Sequence, residues 1–336
     1  MTVLFGKILY KAGYSVSLLI YKTSEHDKSD LLAFVPDYIK VDYISCRYRT
    51  LFFKLYKYII SSNVNIVFSS LPLLNFQNIL VSKLLKRGIK VVIRECNTPS
   101  THKSWIRIVG RLLYRFADLI ISQTDDMKQE MLSLYWLKQD TVKTIINPVD
   151  TELIDECIKE PYDFPTGIFN YVAVGRLHPQ KGYDTLIYAF ADLLKLYPDS
   201  GLFIVGDDRG DYANQQKKLV NDLGISAKVF FTGFQSNPYK YLNKADCFVL
   251  SSNYEGLPNV LLDAVYLGIP VVATNSISFI SDTLKDSSLG ICVPVKNAKQ
   301  LSDALIEIRT RKKNPGLDLS KGSMGDFVRL IDQLSA

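Results

Sequence analysis

Several protein classes are excluded by what the 336-residue sequence lacks. No C-x-x-C pair occurs, and the cysteines (Cys46, Cys96, Cys157, Cys247 and Cys292) are odd in number. A disulfide framework and a zinc site therefore both fail to fit, and buried thiols in a reducing compartment are expected. No apolar run reaches the ~18 residues needed to span a bilayer, and no signal peptide opens the chain, so a cytosolic or peripheral protein is expected. Acid is nearly missing from one long stretch: between Arg47 and Arg115 stand 13 basic residues and a single carboxylate, Glu95.

What remains is an ordinary globular composition, 47% hydrophobic and 22% charged, which excludes disordered, collagen-like and coiled-coil chains. The length predicts two domains, each able to bury a core. Charge divides them: residues 1–150 hold 21 Lys and Arg against 12 Asp and Glu, the remainder 19 against 22. The asymmetry predicts an anionic partner for the first half, with DNA, RNA and anionic lipid open on charge alone.

The second half alternates short apolar strands (Ile168–Val174, Leu202–Val205, Val229–Thr232, Cys247–Leu250, Ile269–Ala273) with helical patterns over 181–197, 211–223 and 258–267. Gly175, Gly206, Gly233 and Gly268 punctuate the ends, as a parallel sheet covered on both faces requires. The first half repeats this, with strands at Ser15–Ile20, Asn65–Ser69, Lys90–Arg94, Asp118–Gln123 and Val142–Ile146, and helices over 50–61, 73–87, 103–116 and 125–136. The prediction is an α/β chain of two tandem Rossmann-like, doubly wound domains with a ligand cleft between them. Their bounds are 1–150 and 168–320, with a linker over 151–167 and a closing helix over 321–336. Met1–Lys11 spaces Val3, Leu4 and Ile8 as a helix does, against a second reading in which Thr2–Phe5 is a stub strand. On the helix reading the first domain lacks its opening strand, which normally lies in mid-sheet, and the turn after it.

Two constellations carry chemistry. Gly175-Arg176-Leu177-His178-Pro179-Gln180-Lys181-Gly182 follows the first strand of the second domain and opens a helix. Arg176 offers a planar fork and Lys181 a mobile point charge, suited to a departing diphosphate, although a plain basic loop fits as well. Glu255-Gly256-Leu257-Pro258 precedes a helix that carries Asp263, and these carboxylates can accept bonds from sugar or ribose hydroxyls. Helix-terminus charge stabilisation by Glu255 and a solvated Asp263 are the other reading. Both constellations fall at one edge of one sheet by the rule of right-handed crossovers. The run at 206–211 (GDDRGD) is expected to be a turn rather than a metal site, His178 to fill its loop, and His26 carries no signal.

GRLHPQKG from Gly175 and EGLPNVLLDAVYLGIPVVAT from Glu255 closely resemble the donor-domain signatures of the retaining glycosyltransferase family 4. The intervening GDDRGD and TGF segments, INPVD at 146–150 and AGYSVSLL at 12–19 are similar too. The resemblance implies the two-Rossmann-domain fold called GT-B, no metal or other cofactor, and transfer from a nucleotide sugar with retention. It aligns Met1 with the first helix, so about 15 residues of strand and turn are expected to be missing. Carried over by position, Arg176 and Lys181 bind the donor diphosphate beside Gly175, and Glu255 with the N–H groups of Gly256 and Leu257 holds the donor sugar. Catalysis rests on Glu255, Arg176 and Lys181. Asp263 stands where the family has glutamate for the ribose, one methylene shorter, and Phe234 and Gln235 border the base.

In the first domain, Glu95, Asn97 and His102 form an expected acceptor loop, against the alternative of a turn closed by Asn97 and Pro99. Lys103, Arg107, Arg111 and Arg115 recur every four residues along a helix whose remaining surface is largely Trp105, Ile108, Val109, Leu112 and Phe116. With the basic-aromatic segment Arg47–Lys57, this suits an anionic membrane surface or a lipid diphosphate; a core helix with a solvated basic face is the other reading. No nucleic-acid module accompanies the stripe, so no nucleic acid is expected. The expected function is a transferase that moves a hexose or N-acetylhexosamine, from a UDP-sugar first, onto a lipid-linked or polysaccharide acceptor of a cell-surface glycan (O-antigen, capsule or similar). Its expected place is cytoplasmic, peripheral on the inner face of the membrane. The alternatives are an inactive or partner-dependent nucleotide-sugar-binding subunit and, less favoured on its motifs, a nucleotide-sugar epimerase.

Overall fold

The computed structural model describes residues 1–22, 35–85 and 88–335; His26 and the end of the helix expected over 73–87 lie outside the described residues. The chain divides into two compact units, Met1–Pro148 with Ser320–Ala336, and Val149–Leu319. The segment read as a linker thus belongs to the second unit. The reason is local: the Asp150 side chain accepts from Leu153 N at 3.3 Å, starts a helix, and Ile154 is fully buried.

The first unit runs α1 (Thr2–Lys11), β1 (Ser17–Lys22), β2 (Lys40–Ser45), α2 (Tyr48–Ser62), β3 (Ile66–Ser69), α3 (Pro72–Leu85), β4 (Lys90–Arg94), α4 (Ser104–Leu113), β5 (Leu119–Ser122), α5 (Asp125–Tyr135) and β6 (Val142–Thr144). Among the described residues its strands form two parallel sheets, β1-β2 and β3-β4-β5-β6. β4 and β5 are buried almost throughout, whereas β1 and β2 are largely half-exposed. Strand β2 was not among those expected, because its Asp42 and exposed Tyr43 give it the mixed pattern of a sheet edge. The helix reading of Met1–Lys11 holds: Phe5 is buried against Phe68 of β3, with ring centroids 5.5 Å apart.

The second unit runs α6 (Thr151–Cys157), β7 (Phe169–Val174), α7 (Tyr183–Leu194), β8 (Ser200–Val205), α8 (Asp211–Asp222), β9 (Val229–Phe231), α9 (Tyr239–Lys244), β10 (Cys247–Leu250), α10 (Asn259–Tyr266), β11 (Val271–Thr274), α11 (Ser278–Thr283), β12 (Gly290–Val293) and α12 (Ala298–Glu307). Its strands form one parallel sheet in the order β12-β11-β10-β7-β8-β9. One face buries Tyr171, Leu202 and Val249 under α7, α8 and α12; the other buries Val172, Phe203 and Phe248 under α9 and α10. Alternate residues of each strand thus serve opposite cores, which explains the unbroken apolar runs. The chain builds outward from β7 to β9, then returns to the far side of β7 with β10. The order reverses between β7 and β10, where such sheets bind ligands beyond their carboxyl ends. A last helix, α13 (Lys321–Ser335), closes the chain within the first unit.

Candidate active site

The two motif segments leave the carboxyl ends of β7 and β10, on either side of the switch point. After β7 the chain passes Gly175, where a Cβ would sit 3.0 Å from Lys181 Cε, so glycine leaves room for the lysine stem. Tyr183 OH donates to Gly175 O at 2.8 Å and fixes the strand end. His178 accepts from Gln180 N through Nδ1 at 3.2 Å, which makes it a loop-closing residue. At Gly182, with φ +60°, a Cβ would meet Ser251 O at 2.3 Å. The two motif loops are therefore in backbone contact that only glycine permits.

That contact brings the charges together. Lys181 Nζ lies 2.7 Å from Glu255 Oε1, and the glutamate is 8% exposed. Ser252 donates to the same oxygen at 2.6 Å, and Gln180 Nε2 donates to Tyr254 O at 3.1 Å. Further ties run from Ser251 Oγ to Lys181 O and from Asn253 N to Gln180 O, each 2.7 Å. Arg176, in the same loop as Lys181, is exposed and makes no ion pair among the described residues; Asp207 is held below the usual carboxylate range by its hydrogen bond from Arg209, with the Arg176 charge adding to the effect. Gly256 and Leu257 follow Glu255, and Pro258 caps α10, whose first residue is Asn259. The site thus combines a fixed carboxylate, a lysine it holds, and an arginine left for an anion.

Asp263 is half-buried, not the fully solvated acid of the simpler sequence reading. Burial and the Asp150 charge push its carboxyl up to about 7, against a hydrogen bond with Tyr239 that lowers it. Phe234 stands exposed after β9, and Gln235 Nε2 donates to Thr232 O at 2.9 Å. In the turn at 206–211 the acids face cations: Arg209 grips Asp207, and Lys217 lies 2.6 Å from Asp208.

The expected acceptor loop of the first unit needs a correction. Glu95 is 1% exposed, at the end of β4, and its carboxylate accepts from Tyr114 OH at 3.0 Å. Gln123 Nε2 donates to Glu95 O at 2.9 Å, Asn147 Nδ2 to Gln123 Oε1 at 3.1 Å, and Arg94 to Asn147 Oδ1 at 2.5 Å. These bonds tie the ends of β4, β5 and β6 together, so Glu95 works inside the fold and does not face solvent. Burial pushes its carboxyl up to about 7 and pushes the His102 imidazole down, so burial opposes the charged form of both partners in their 3.6 Å contact. Asn97 alone of the three expected residues is exposed.

Helix α4 is arranged differently from a core helix with a basic outer face. Ile106, Val109 and Leu113 pack inward, and Gly110 meets the Tyr135 ring, where a Cβ would lie 2.8 Å from Cε1. Outward stand Trp105, Ile108, Leu112 and, just beyond the helix, Phe116, all exposed. Lys103 and Arg115 are exposed as well, while Arg107 and Arg111 line a shallow pocket with Ser104, Ile108 and Leu134. Arg111 donates to Leu134 O at 3.0 Å and lies 4.1 Å from the ring centroid of Trp136, an exposed residue with φ 54°. No described helix is long and apolar enough to cross a membrane.

Residues 156–315 match the family model for group 1 glycosyl transferases, and residues 3–153 the model for Glycosyltransferase Family 4. The chain is 28% identical over 233 residues to N-acetylgalactosamine-N,N'-diacetylbacillosaminyl-diphospho-undecaprenol 4-alpha-N-acetylgalactosaminyltransferase of Campylobacter jejuni, covering 67% of this chain and 62% of that protein. It is 30% identical over 195 residues to the lipopolysaccharide core biosynthesis glycosyltransferase LpsE of Rhizobium meliloti, covering 58% and 55%. The chain thus spans between half and two thirds of the length of these two relatives and of an uncharacterised Methanocaldococcus jannaschii glycosyltransferase, and less than half of several others. Solved structures agree in fold over almost the whole chain. A Rickettsia africae glycosyltransferase superposes with a TM-score of 0.78 at 16% identity, and Anabaena Alr3699/HepE in complex with UDP with 0.79 at 17%; each match covers 99% of this chain and 94% of the other. The fold is GT-B.

Proposed function

We propose, from the premise that this chain belongs to the group 1 and family 4 glycosyltransferases, that it moves a hexose or N-acetylhexosamine from a UDP-sugar onto a lipid-linked or polysaccharide acceptor of a cell-surface glycan. The observation that carries this reading is the juxtaposition of Lys181 and Glu255 at the switch point of the second sheet, with an exposed Arg176 in the loop that carries Lys181. Arg176 and Lys181 take the donor diphosphate, and their charges stabilise it as it leaves. Glu255 orients the sugar hydroxyls with the N–H groups of Gly256 and Leu257. Glu255 holds Lys181 in place, so the cation is fixed at the diphosphate position. Phe234 offers a face for the base and Asp263 a contact for the ribose.

Retention without a protein nucleophile follows from front-face attack within an oriented ion pair, where positioning and electrostatics do the chemistry. The acceptor is taken up by the first unit. The apolar ridge of α4 enters the interface of an anionic membrane, and Lys103, Arg107, Arg111 and Arg115 meet phosphate groups of lipid or of a lipid-linked diphosphate. This reading puts the protein on the cytoplasmic face of the membrane, without a metal. The name of the Campylobacter relative, which specifies a diphospho-undecaprenol substrate, supports a lipid-linked acceptor. The test is thermal stabilisation by UDP, GDP and ADP, followed by sugar transfer with and without a polyprenyl-diphosphate acceptor. Stabilisation by UDP and acceptor-dependent transfer are expected; stabilisation by no nucleotide refutes the donor site.

A further inference from the structure

The carboxylate of Glu255 is bonded unevenly. Oε1 accepts from Lys181 Nζ at 2.7 Å and from Ser252 Oγ at 2.6 Å, which uses both of its lone-pair directions. Oε2 accepts only one long contact among the described residues, from Gln180 Nε2 at 3.4 Å. The two oxygens are not interchangeable. Ser252 is fully buried, and its carbonyl accepts at 2.6 Å from the hydroxyl of Thr274, itself fully buried at the end of β11. The group that occupies Oε1 is therefore anchored in the sheet, and Oε2 is the oxygen left for a ligand.

Gln180 is held as firmly. Its backbone N–H donates to His178 Nδ1 at 3.2 Å, and its carbonyl accepts from Asn253 N at 2.7 Å. The side-chain amide donates to Tyr254 O at 3.1 Å. An amide nitrogen carries two hydrogens, so with one on Tyr254 O the second remains for the Glu255 side. A contact of 3.4 Å is weak and yields to a better partner. Nε2 and Oε2 thus stand side by side as a donor and an acceptor, each short of a good bond. A hydroxyl answers both at once, because it donates and accepts through one oxygen; an ether oxygen or a C–H group does not.

We propose that Glu255 divides its carboxylate, with Oε1 kept for Lys181 and Ser252, and that Oε2 and the Gln180 amide together recognise one hydroxyl of the donor sugar, which makes Gln180 a specificity-determining residue. The hydroxyl donates to Oε2 and accepts from Nε2. A sugar without that hydroxyl leaves both groups unanswered, the arrangement by which a site rejects an analogue most strongly. The proposal rests on the reading of this site as the donor site and adds to it a residue that touches the sugar rather than the diphosphate.

The test compares the wild type with Gln180→Met, which keeps the length of the side chain and removes the amide. Calorimetric titration measures UDP, UDP-glucose, UDP-N-acetylglucosamine and analogues of these sugars that lack one hydroxyl each. Expected is unchanged affinity of the variant for UDP, with affinity for a UDP-sugar weakened about fivefold, as the loss of one neutral hydrogen bond implies. Removal of one particular hydroxyl costs the wild type a similar factor and costs the variant little more, so that the two losses do not add. A Gln180 that only ties the two loops together gives the same hydroxyl penalties in both proteins. Full additivity at every hydroxyl, an unchanged affinity of the variant for the sugars, or equal weakening of UDP itself overturns the proposal while leaving the donor site standing. A wild type that binds no UDP overturns both.

Discussion

Lys181 and Glu255 are 74 residues apart in sequence and 2.7 Å apart in space. Neither strand end alone would hold its charge there. The Gly182–Ser251 approach sets the distance, and Ser252 and Gln180 set the angle of the carboxylate.

Lys181→Ala is expected to lower UDP affinity by about tenfold or more, since a hydrogen bond to a charged group is worth about 1.5–3 kcal/mol. It also strips Glu255 of its partner. Some fall in melting temperature is expected, and Lys181→Ala with Glu255→Gln should recover part of it. Calorimetric titration with UDP and thermal unfolding of the single and double variants measure both effects. Unchanged UDP affinity refutes the diphosphate role.

Gly182→Ala should destabilise the second unit by about 2 kcal/mol or more, through positive φ and the clash with Ser251 O. Urea unfolding measures the loss. A variant of wild-type stability would mean that the two motif loops separate freely.

Glu95 carries a pH dependence whose sign is opposite to that of a paired surface carboxylate. Its folded value is about 7 against an ordinary 4.5, so between these values the folded state keeps a proton that the unfolded chain has released. Stability is then full below pH 4.5 and declines as pH rises to about 7. Glu95→Gln retains an acceptor for Tyr114 and should flatten that decline. Unfolding curves at pH 4.5, 6 and 7.5 decide the matter; an unchanged slope in the variant counts against the burial argument.

Ile108→Glu and Leu112→Glu are expected to abolish co-sedimentation with vesicles rich in anionic phospholipid while leaving the melting temperature within error, because both side chains are mostly exposed. Arg107→Ala with Arg111→Ala should weaken binding in a manner that added salt reproduces. Vesicle binding by the Glu variants at the original level would remove the membrane from the proposed function.

Much of the second unit was legible because its strands are short apolar runs ended by glycine, and two motif loops had to meet at one edge. Helices α6 and α9 were among those not expected, since each is two turns or fewer and too short to show a helical period. The acceptor loop misled for a different reason. Arg94 ends a strand and Glu95 follows it, so both look presented, but their partners Tyr114, Gln123 and Asn147 come from distant segments, and only those contacts reveal that Glu95 is internal. In α4 the four-residue spacing of cations announced a helix. Large apolar residues on both sides of it concealed which side faces out: Ile106, Val109 and Leu113 turn in, Trp105, Ile108 and Leu112 turn out.

Helix α13 gives the molecule an order of assembly. Phe327 and Ile331 are buried beneath β3, β4 and β5, and Phe327 meets the Phe5 ring with centroids 4.7 Å apart. The second unit is one continuous stretch, whereas the first is made of two pieces with the second unit threaded between them. On the ribosome, the unit that begins first therefore finishes last. Its core stays open while all of Val149–Leu319 is made, and a stop codon between Ser320 and Phe327 would cut the first unit's core while leaving the second unit whole.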